Sequence, residues 1–125
     1  MATNKDQRSV AEVLEHHIKT LADGNVAEVV YDYAPDAVII TQDGVVKGLE
    51  AIREFFINSV NNVLPPGSSS KSIAKITEGE VAFIVWSAES PFYSFQLGTD
   101  TFIIRKGEIV EQTFAGLMQK KGAQR

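Results

Sequence analysis

From about Asp6 to Ala22 the chain repeats apolar residues at three- and four-residue steps. Val10, Val13, Leu14, His17, Ile18 and Leu21 share one face, which predicts an amphipathic helix. Asp6 or Ser9 is placed to cap it, and Asp23-Gly24-Asn25 ends it, glycine tolerating the left-handed position after a helix. A second, shorter helix carries Val26, Val29, Val30 and Tyr33 on one side, with Pro35 as its stop, because proline pushes the residue before it out of the α region. Ala37 to Thr41 reads as a strand, Gln42-Asp43-Gly44 as a hairpin turn and Val45 to Lys47 as the short return. A third helix is expected over about Leu49 to Val63, with Leu49, Ile52, Phe55, Phe56 and Val60 or Val63 as its buried stripe.

Leu64 to Ser70, with Pro65-Pro66-Gly67 and three serines, is a flexible connector. Beyond it the period becomes two. Ser72–Thr77, Val81–Ser87, Thr99–Arg105 and Ile109–Gln119 read as strands, with tight turns at Glu78-Gly79-Glu80 and Lys106-Gly107-Glu108. Pro91 interrupts the pattern, so Phe92–Leu97 either begins the next strand or bulges into it. It also leaves open whether Phe83 or Trp86 points inward. Helices first and antiparallel strands afterwards predict an α+β domain, helices packed on one sheet face, with a concave space of the kind in which small-molecule sites form. No internal repeat is present.

Length and composition narrow this picture. With 125 residues the chain has room for one domain, residues 1–125, and a core that needs no staple. It has no cysteine, hence no disulfide, thiolate nucleophile or Cys-based zinc site, and its two histidines, His16 and His17, make no multi-His metal centre by themselves; no metal or cofactor is expected. A net charge of −4 argues against nucleic acid, and the one basic cluster, Lys120, Lys121 and Arg125, is a chain end that reads as solvated. The polar Met1–Arg8 stretch lacks the apolar core of a secretory signal, and no apolar run approaches the ~20 residues of a membrane span, so the cytoplasm is the expected location.

Two polar residues interrupt apolar faces. His17 lies on the stripe of the first helix, whereas His16 falls off it and is expected in solvent. Asp100 alternates onto the face of Phe102 and Ile104, where a carboxylate must be paired, protonated or functional. The competing readings are a hydrogen-bonded core histidine and a strand-end aspartate at the Gly98 bend. If both residues face one cavity they could form an acid–base dyad, the carboxylate fixing the imidazole's tautomer. Tyr33, Phe55, Phe56, Phe83, Trp86 and Phe114 could line the cavity or simply fill the core. Gln112, on the face of Phe114, is an odd core residue unless it touches a ligand or water. Asp32, Asp36, Glu108 and Glu111 are expected to face water.

Leu21-Ala22-Asp23-Gly24-Asn25, Tyr33-Ala34-Pro35-Asp36-Ala37, Gly48-Leu49-Glu50-Ala51-Ile52-Arg53-Glu54-Phe55-Phe56, Asp100-Thr101-Phe102 and Lys106-Gly107-Glu108-Ile109 together resemble the nuclear transport factor 2-like superfamily, in its SnoaL-like and ketosteroid-isomerase-like branch. The resemblance covers nearly the whole chain. It implies a cone-shaped, curved, mixed but mostly antiparallel sheet wrapped around three N-terminal helices (a cystatin-like α+β barrel), a pocket inside the cone and a homodimer packed through the outer sheet face. It places His17 where a ketosteroid isomerase has an oxyanion-hole tyrosine. Asp100 falls where that enzyme has an oxyanion-hole aspartic acid and SnoaL-type cyclases their catalytic aspartate, and Tyr33 resembles a supporting tyrosine. The isomerase's general base falls at Thr41, which cannot take a proton at neutral pH, and the Asp–Arg–Asp set of limonene epoxide hydrolases is not evident.

The expectations are thus a small-molecule pocket protein with Asp100 and His17 as catalytic pair and Tyr33, Thr41, Phe55, Phe56, Trp86, Gln112 and Phe114 around a small apolar ligand. The reaction class would be acid–base isomerisation, cyclisation or hydrolysis of a small apolar carbonyl compound. A non-catalytic carrier of a hydrophobic metabolite and a dimeric protein-interaction module are the alternatives.

Overall fold

The computed structural model describes residues 4–122; Arg125 of the basic tail lies outside them. After a short 3-10 turn at Lys5–Gln7, helix α1 runs Val10–Ala22 and α2 Val26–Tyr31. Strands β1 (Tyr33–Thr41) and β2 (Gly44–Lys47) precede α3 (Leu49–Asn58), which continues as a π-helical turn over Ser59–Val63. Strands β3 (Ser69–Glu78), β4 (Val81–Glu89), β5 (Tyr93–Arg105) and β6 (Glu108–Lys120) complete the chain. The six strands form one curved sheet in the order β2-β1-β6-β5-β4-β3, antiparallel throughout except for the parallel β1–β6 pair. Helix α1 packs over β4 and β5 and α3 over β1 and β2, which gives the α+β cone. No helix among the described residues is long and apolar enough to cross a membrane.

Local chemistry accounts for the helix ends. Ser9 caps α1 reciprocally with Glu12: the Ser9 hydroxyl accepts from the Glu12 amide at 3.1 Å and the Ser9 amide donates to the Glu12 carboxylate at 2.7 Å. At the other end Gly24 adopts φ +72°, where a side chain would also run into Pro66. Val13, Leu14 and His17 of the α1 stripe are buried, with Val10, Ile18 and Leu21 packed at its margin.

Four expectations need correction here. The second helix ends at Tyr31, with Asp32 as its C-cap, so Tyr33 belongs to β1 rather than to a helical face. Pairing wins over helical propagation, because Tyr33 is already opposite Ile109 of β6, and Pro35 falls in the irregular stretch between Tyr33 and Val38 where it owes no ladder hydrogen bond. Asp32 is fully buried rather than solvated, and His16 turns back to meet it. Glu108, also expected in water, is partly buried in an ion pair with Lys5 at 2.9 Å.

Register is settled by bulges. β4 and β5 slip between Trp86 and Ala88, and β5 and β6 between Phe95 and Leu97, so Tyr93–Arg105 is one strand that bends as it passes the bulge. Trp86 takes the inner face with Ala82, Ile84 and Asp100, whereas Phe83 is on the outer face and 37% exposed.

Candidate functional site

The inner faces of β1, β4, β5 and β6 bring four side chains into one hydrogen-bonded chain. Asp100, centred on β5, lies opposite Ile84 of β4 and Phe114 of β6. Its Oδ2 accepts from the Trp86 indole N–H at 2.8 Å and its Oδ1 from the Gln112 amide N–H at 2.9 Å. The Gln112 carbonyl accepts in turn from the Tyr33 hydroxyl. This order fixes the amide's orientation, since a flipped Gln112 would turn its oxygen onto the Asp100 carboxylate, acceptor against acceptor. Asp100 is therefore an acceptor on both oxygens, and no cation among the described residues pairs with it.

Electrostatics follow from those partners. Burial raises the Asp100 carboxyl from 3.8 to about 6, and the hydrogen bonds from Trp86 and Gln112 hold it back from rising further. The Tyr33 phenol is pushed well above 10 by burial and by the charges of Asp100 and Asp32, so it stays a neutral donor. At neutral pH the group is an anion held by neutral dipoles, ready to accept a proton.

His17 lies one layer away. Its ring meets Phe102 at 5.1 Å and Tyr33 and Phe56 at 5.9 Å, all edge-on. Burial lowers its pKa from 6.5 to about 4, against the pull of Asp32, so the imidazole is neutral, and its Nδ1 has no hydrogen-bond partner. The structure does not join His17 to Asp100 directly: Asp100 bonds to Trp86 and Gln112, and the link to His17 passes through the Tyr33 ring.

The remaining sequence-selected residues divide in the same way. Phe56 is buried against Tyr33 and His17, with Phe55 half-buried beside it at 5.1 Å. Trp86 and Phe114 stack with planes 12° apart and centroids 6.2 Å apart, and Phe95, not singled out from the sequence, packs on Trp86 at 5.2 Å. Phe95 also borders a cleft of about 390 Å³ at the end of β3, β4 and β5, together with Ser69, Ser87 and Ala88. Thr41 sits at the β1–β2 turn, where its hydroxyl donates to the Gly44 carbonyl at 3.2 Å and accepts from the Asp43 amide at 3.0 Å.

A second buried carboxylate, Asp32, escaped the sequence reading. It accepts from the Arg8 guanidinium at 2.8 Å and from His16 Nδ1 at 2.8 Å, while His16 Nε2 faces Glu28 at 3.0 Å. Arg8 also donates to the Gly107 carbonyl at 2.6 Å, and Lys5 and Arg8 lie over the Tyr31 ring, so this cluster ties the N-terminal segment to the β5–β6 turn. Asp32 sits where a short helix ends, a position that is usually wet, and the only sequence signal was the pair of cations upstream. Among the described residues no group of three or more His, Asp or Glu is arranged to hold a metal ion.

Comparison with known proteins agrees with this architecture. An NTF2-like protein of unknown function from Cytophaga hutchinsonii superposes with a TM-score of 0.74 at 13% identity, covering 94% of this chain and 95% of that one. SalBIII, an epoxide hydrolase/cyclase-like enzyme of pyran ring formation in the polyether salinomycin, gives 0.74 at 17% identity over 94% of this chain and 100% of its own. A candidate ketosteroid isomerase from Kribbella flavida gives 0.73 at 11% identity over 93% and 83%. At these identities the likeness is one of fold. No curated protein matches the sequence. The model of the SnoaL-like domain matches residues 14–112, most of the chain and every residue from His17 to Gln112 discussed above, and the protein therefore belongs to the SnoaL-like family within the nuclear transport factor 2-like fold.

Proposed function

We propose that this protein is an acid–base enzyme acting on a small apolar carbonyl compound, with Asp100 as the proton acceptor. The observation that carries the reading is the Asp100 carboxylate itself: buried, without a cation partner among the described residues, and held on both oxygens by neutral N–H donors. With a pKa of about 6 it is mostly ionised at pH 7 yet more basic than an ordinary carboxylate. Each oxygen has a lone pair left over. Asp100 takes a proton from the carbon next to the substrate carbonyl, giving a neutral carboxylic acid and an enolate. It then returns the proton to the same carbon or another, or, where the enolate closes a ring on a second carbonyl of the substrate, gives the proton to the alkoxide formed there. Trp86, Phe95 and Phe114 supply the apolar wall, and Tyr33 acts through Gln112 to keep the accepting oxygens in place. Of the two roles implied by resemblance, this is closer to the catalytic aspartate of SnoaL-type cyclases than to the oxyanion-hole aspartic acid of a ketosteroid isomerase, which donates to an oxyanion. Here both neighbours of Asp100 are donors, which favours the anion.

The test joins a thermal-shift screen over small carbonyl compounds with turnover assays on the hits. Replacing Asp100 by Asn should lower kcat/KM by about 10²–10⁴-fold while binding persists. In the parent, kcat/KM should climb as pH rises through about 6, since the free enzyme's base must be unprotonated. Unchanged turnover in Asp100→Asn defeats the reading. Binding without product across the panel transfers it to a carrier.

For the assembly we infer a homodimer through the outer sheet face. Val45, Ile40, Thr113, Thr101, Phe83 and Ile76 form one row across all six strands, and Val45, Ile40 and Ile76 are each more than half exposed. Light scattering should give twice the 13.7 kDa chain mass, and Phe83→Asp should give the monomer; a monomeric parent refutes the assembly.

A further inference from the structure

Residues directly opposite on neighbouring antiparallel strands share a face and hold their Cβ atoms about 5 Å apart. Trp86 and Gly98 are such a pair, between β4 and β5. Because position 98 has no side chain, the indole folds over the β5 backbone. A Cβ built at Gly98 would overlap Trp86 Cζ2 and Cε2 and lie 2.7 Å from Cη2. The space of the missing side chain is thus the seat of the six-membered half of the indole. That seat carries Nε1 along β5 to Asp100, two residues on and on the same face, at 2.8 Å. Phe95 and Phe114 pack against the same indole ring.

We propose that Gly98 is a positioning residue for Asp100: by giving the Trp86 ring its seat, it holds the indole N–H on the carboxylate and keeps Asp100 in its anionic, proton-accepting form. The functional meaning rests on Asp100 being the base, but the proposal concerns the resting protein and is tested without substrate. Other titratable groups around Asp100 are few. Tyr33 on β1 reaches it through Gln112, and His17 on α1 packs on Tyr33 and Phe102. β4 and β6 present Ile84, Trp86, Gln112 and Phe114, and α3 brings Phe56 against Tyr33 and His17. Asp32 acts on Tyr33 and His17 from the other side of the core.

Trp86 is the chain's one tryptophan, so tryptophan emission reports the surroundings of this one indole. Titrated from pH 4 to 8, the emission of the parent should change with a midpoint of about 6, and Asp100→Asn should abolish the change. In Gly98→Ala the emission should lose this response, and the Asp100 carboxyl midpoint, read by carbon-13 NMR, should rise by about one pH unit, as expected for a lost hydrogen bond to a charged group. Trp86→Phe should raise the midpoint similarly, and adding Gly98→Ala to it should change nothing more, because the glycine acts through the indole. An unchanged midpoint in Gly98→Ala overturns the proposal. So does a shift of equal size when that change is made in the Trp86→Phe background. Should Gly98→Ala fold poorly, the double variant should recover stability, since phenylalanine lacks the ring atoms that meet the new methyl; a double variant no more stable than Gly98→Ala also overturns it. These titrations decide the role of Gly98 whether or not turnover assays bear out Asp100 as a base.

Discussion

Asp32 and Asp100 are both buried carboxylates, and they are held by opposite kinds of partner. Asp32 lies between the Arg8 guanidinium and the His16 imidazole, with Arg8 further fixed to the Gly107 carbonyl. Asp100 has only neutral donors, the Trp86 indole and the Gln112 amide. A buried anion with a counter-cation is a structural tie, whose removal strands the opposite charge. A buried anion held by dipoles keeps much of its desolvation cost, and its affinity for a proton rises to match. Burial alone therefore does not mark a functional carboxylate. The charge of its partners separates the clasp around Asp32 from Asp100, the carboxylate held by neutral donors.

The comparison breaks first if the two residues respond alike to removal of charge. Asp32→Asn should cost about 3–4 kcal/mol in urea unfolding at pH 7, because Arg8 loses its buried counter-ion and the contact with His16 is weakened. Asp100→Asn should stay within about 1 kcal/mol of the parent, as relief of charge burial offsets the one N–H donor that an amide cannot accept from. Equal losses would mean that both are structural ties.

The pH dependence of stability sharpens the contrast. Asp100 titrates at about 6 folded and near 3.8 unfolded, so the folded state holds its proton more tightly. Its contribution to stability falls by about 3 kcal/mol as pH rises from 4 to 6. His17 titrates at about 4 folded and near 6.5 unfolded, so the unfolded chain takes the proton first. Its contribution falls by about 3 kcal/mol as pH drops from 6.5 to 4. In the parent the two slopes oppose each other. Relative to the parent, Asp100→Asn should become progressively less stable toward pH 4, and His17→Gln progressively more stable. Parallel stability–pH curves for parent and variants would refute both shifts.

Smaller effects grade the same network. Tyr33→Phe leaves the Gln112 carbonyl without its donor and should cost about 2 kcal/mol at neutral pH. A loss no larger than that of an exposed Tyr31→Phe would take Tyr33 out of the relay. Glu28→Gln, at the half-exposed end of the clasp, should change stability by only about 0.5 kcal/mol and less at high salt. A loss comparable to that of Asp32→Asn would show that the clasp is anchored through Glu28 instead.

Periodicity made most of this architecture readable. The α1 stripe, the two Gly-centred turns of the later strands and the shift from a three-to-four to a two-residue period all mark real elements. Asp100, His17 and Gln112 could be singled out because each is a polar residue on an otherwise apolar face, and each is buried. What periodicity could not do was pair them. The direct His17–Asp100 dyad, conditional on both facing one cavity, does not form: Asp100 bonds to Trp86 and Gln112, and His17 packs on the Tyr33 ring. The move of Tyr33 from the α2 face to the start of β1 depended on pairing with Ile109, at a sequence distance that no local pattern reports.

By itself the sequence determined most element types, the family and three inward-facing polar residues, His17, Asp100 and Gln112, since these depend on side-chain period and local backbone preference. The tertiary structure decided which carboxylate received cations and which received neutral donors. It also decided that Trp86 rather than Phe83 turns inward, through the β4–β5 pairing that sets Ile84 opposite Asp100 and Trp86 opposite Gly98. That outcome rests on strand register and on contacts between residues far apart in the chain. A one-residue slip exchanges the two faces of a strand while leaving its composition unchanged, so the pairing partner, absent from any local stretch of sequence, is what fixes it.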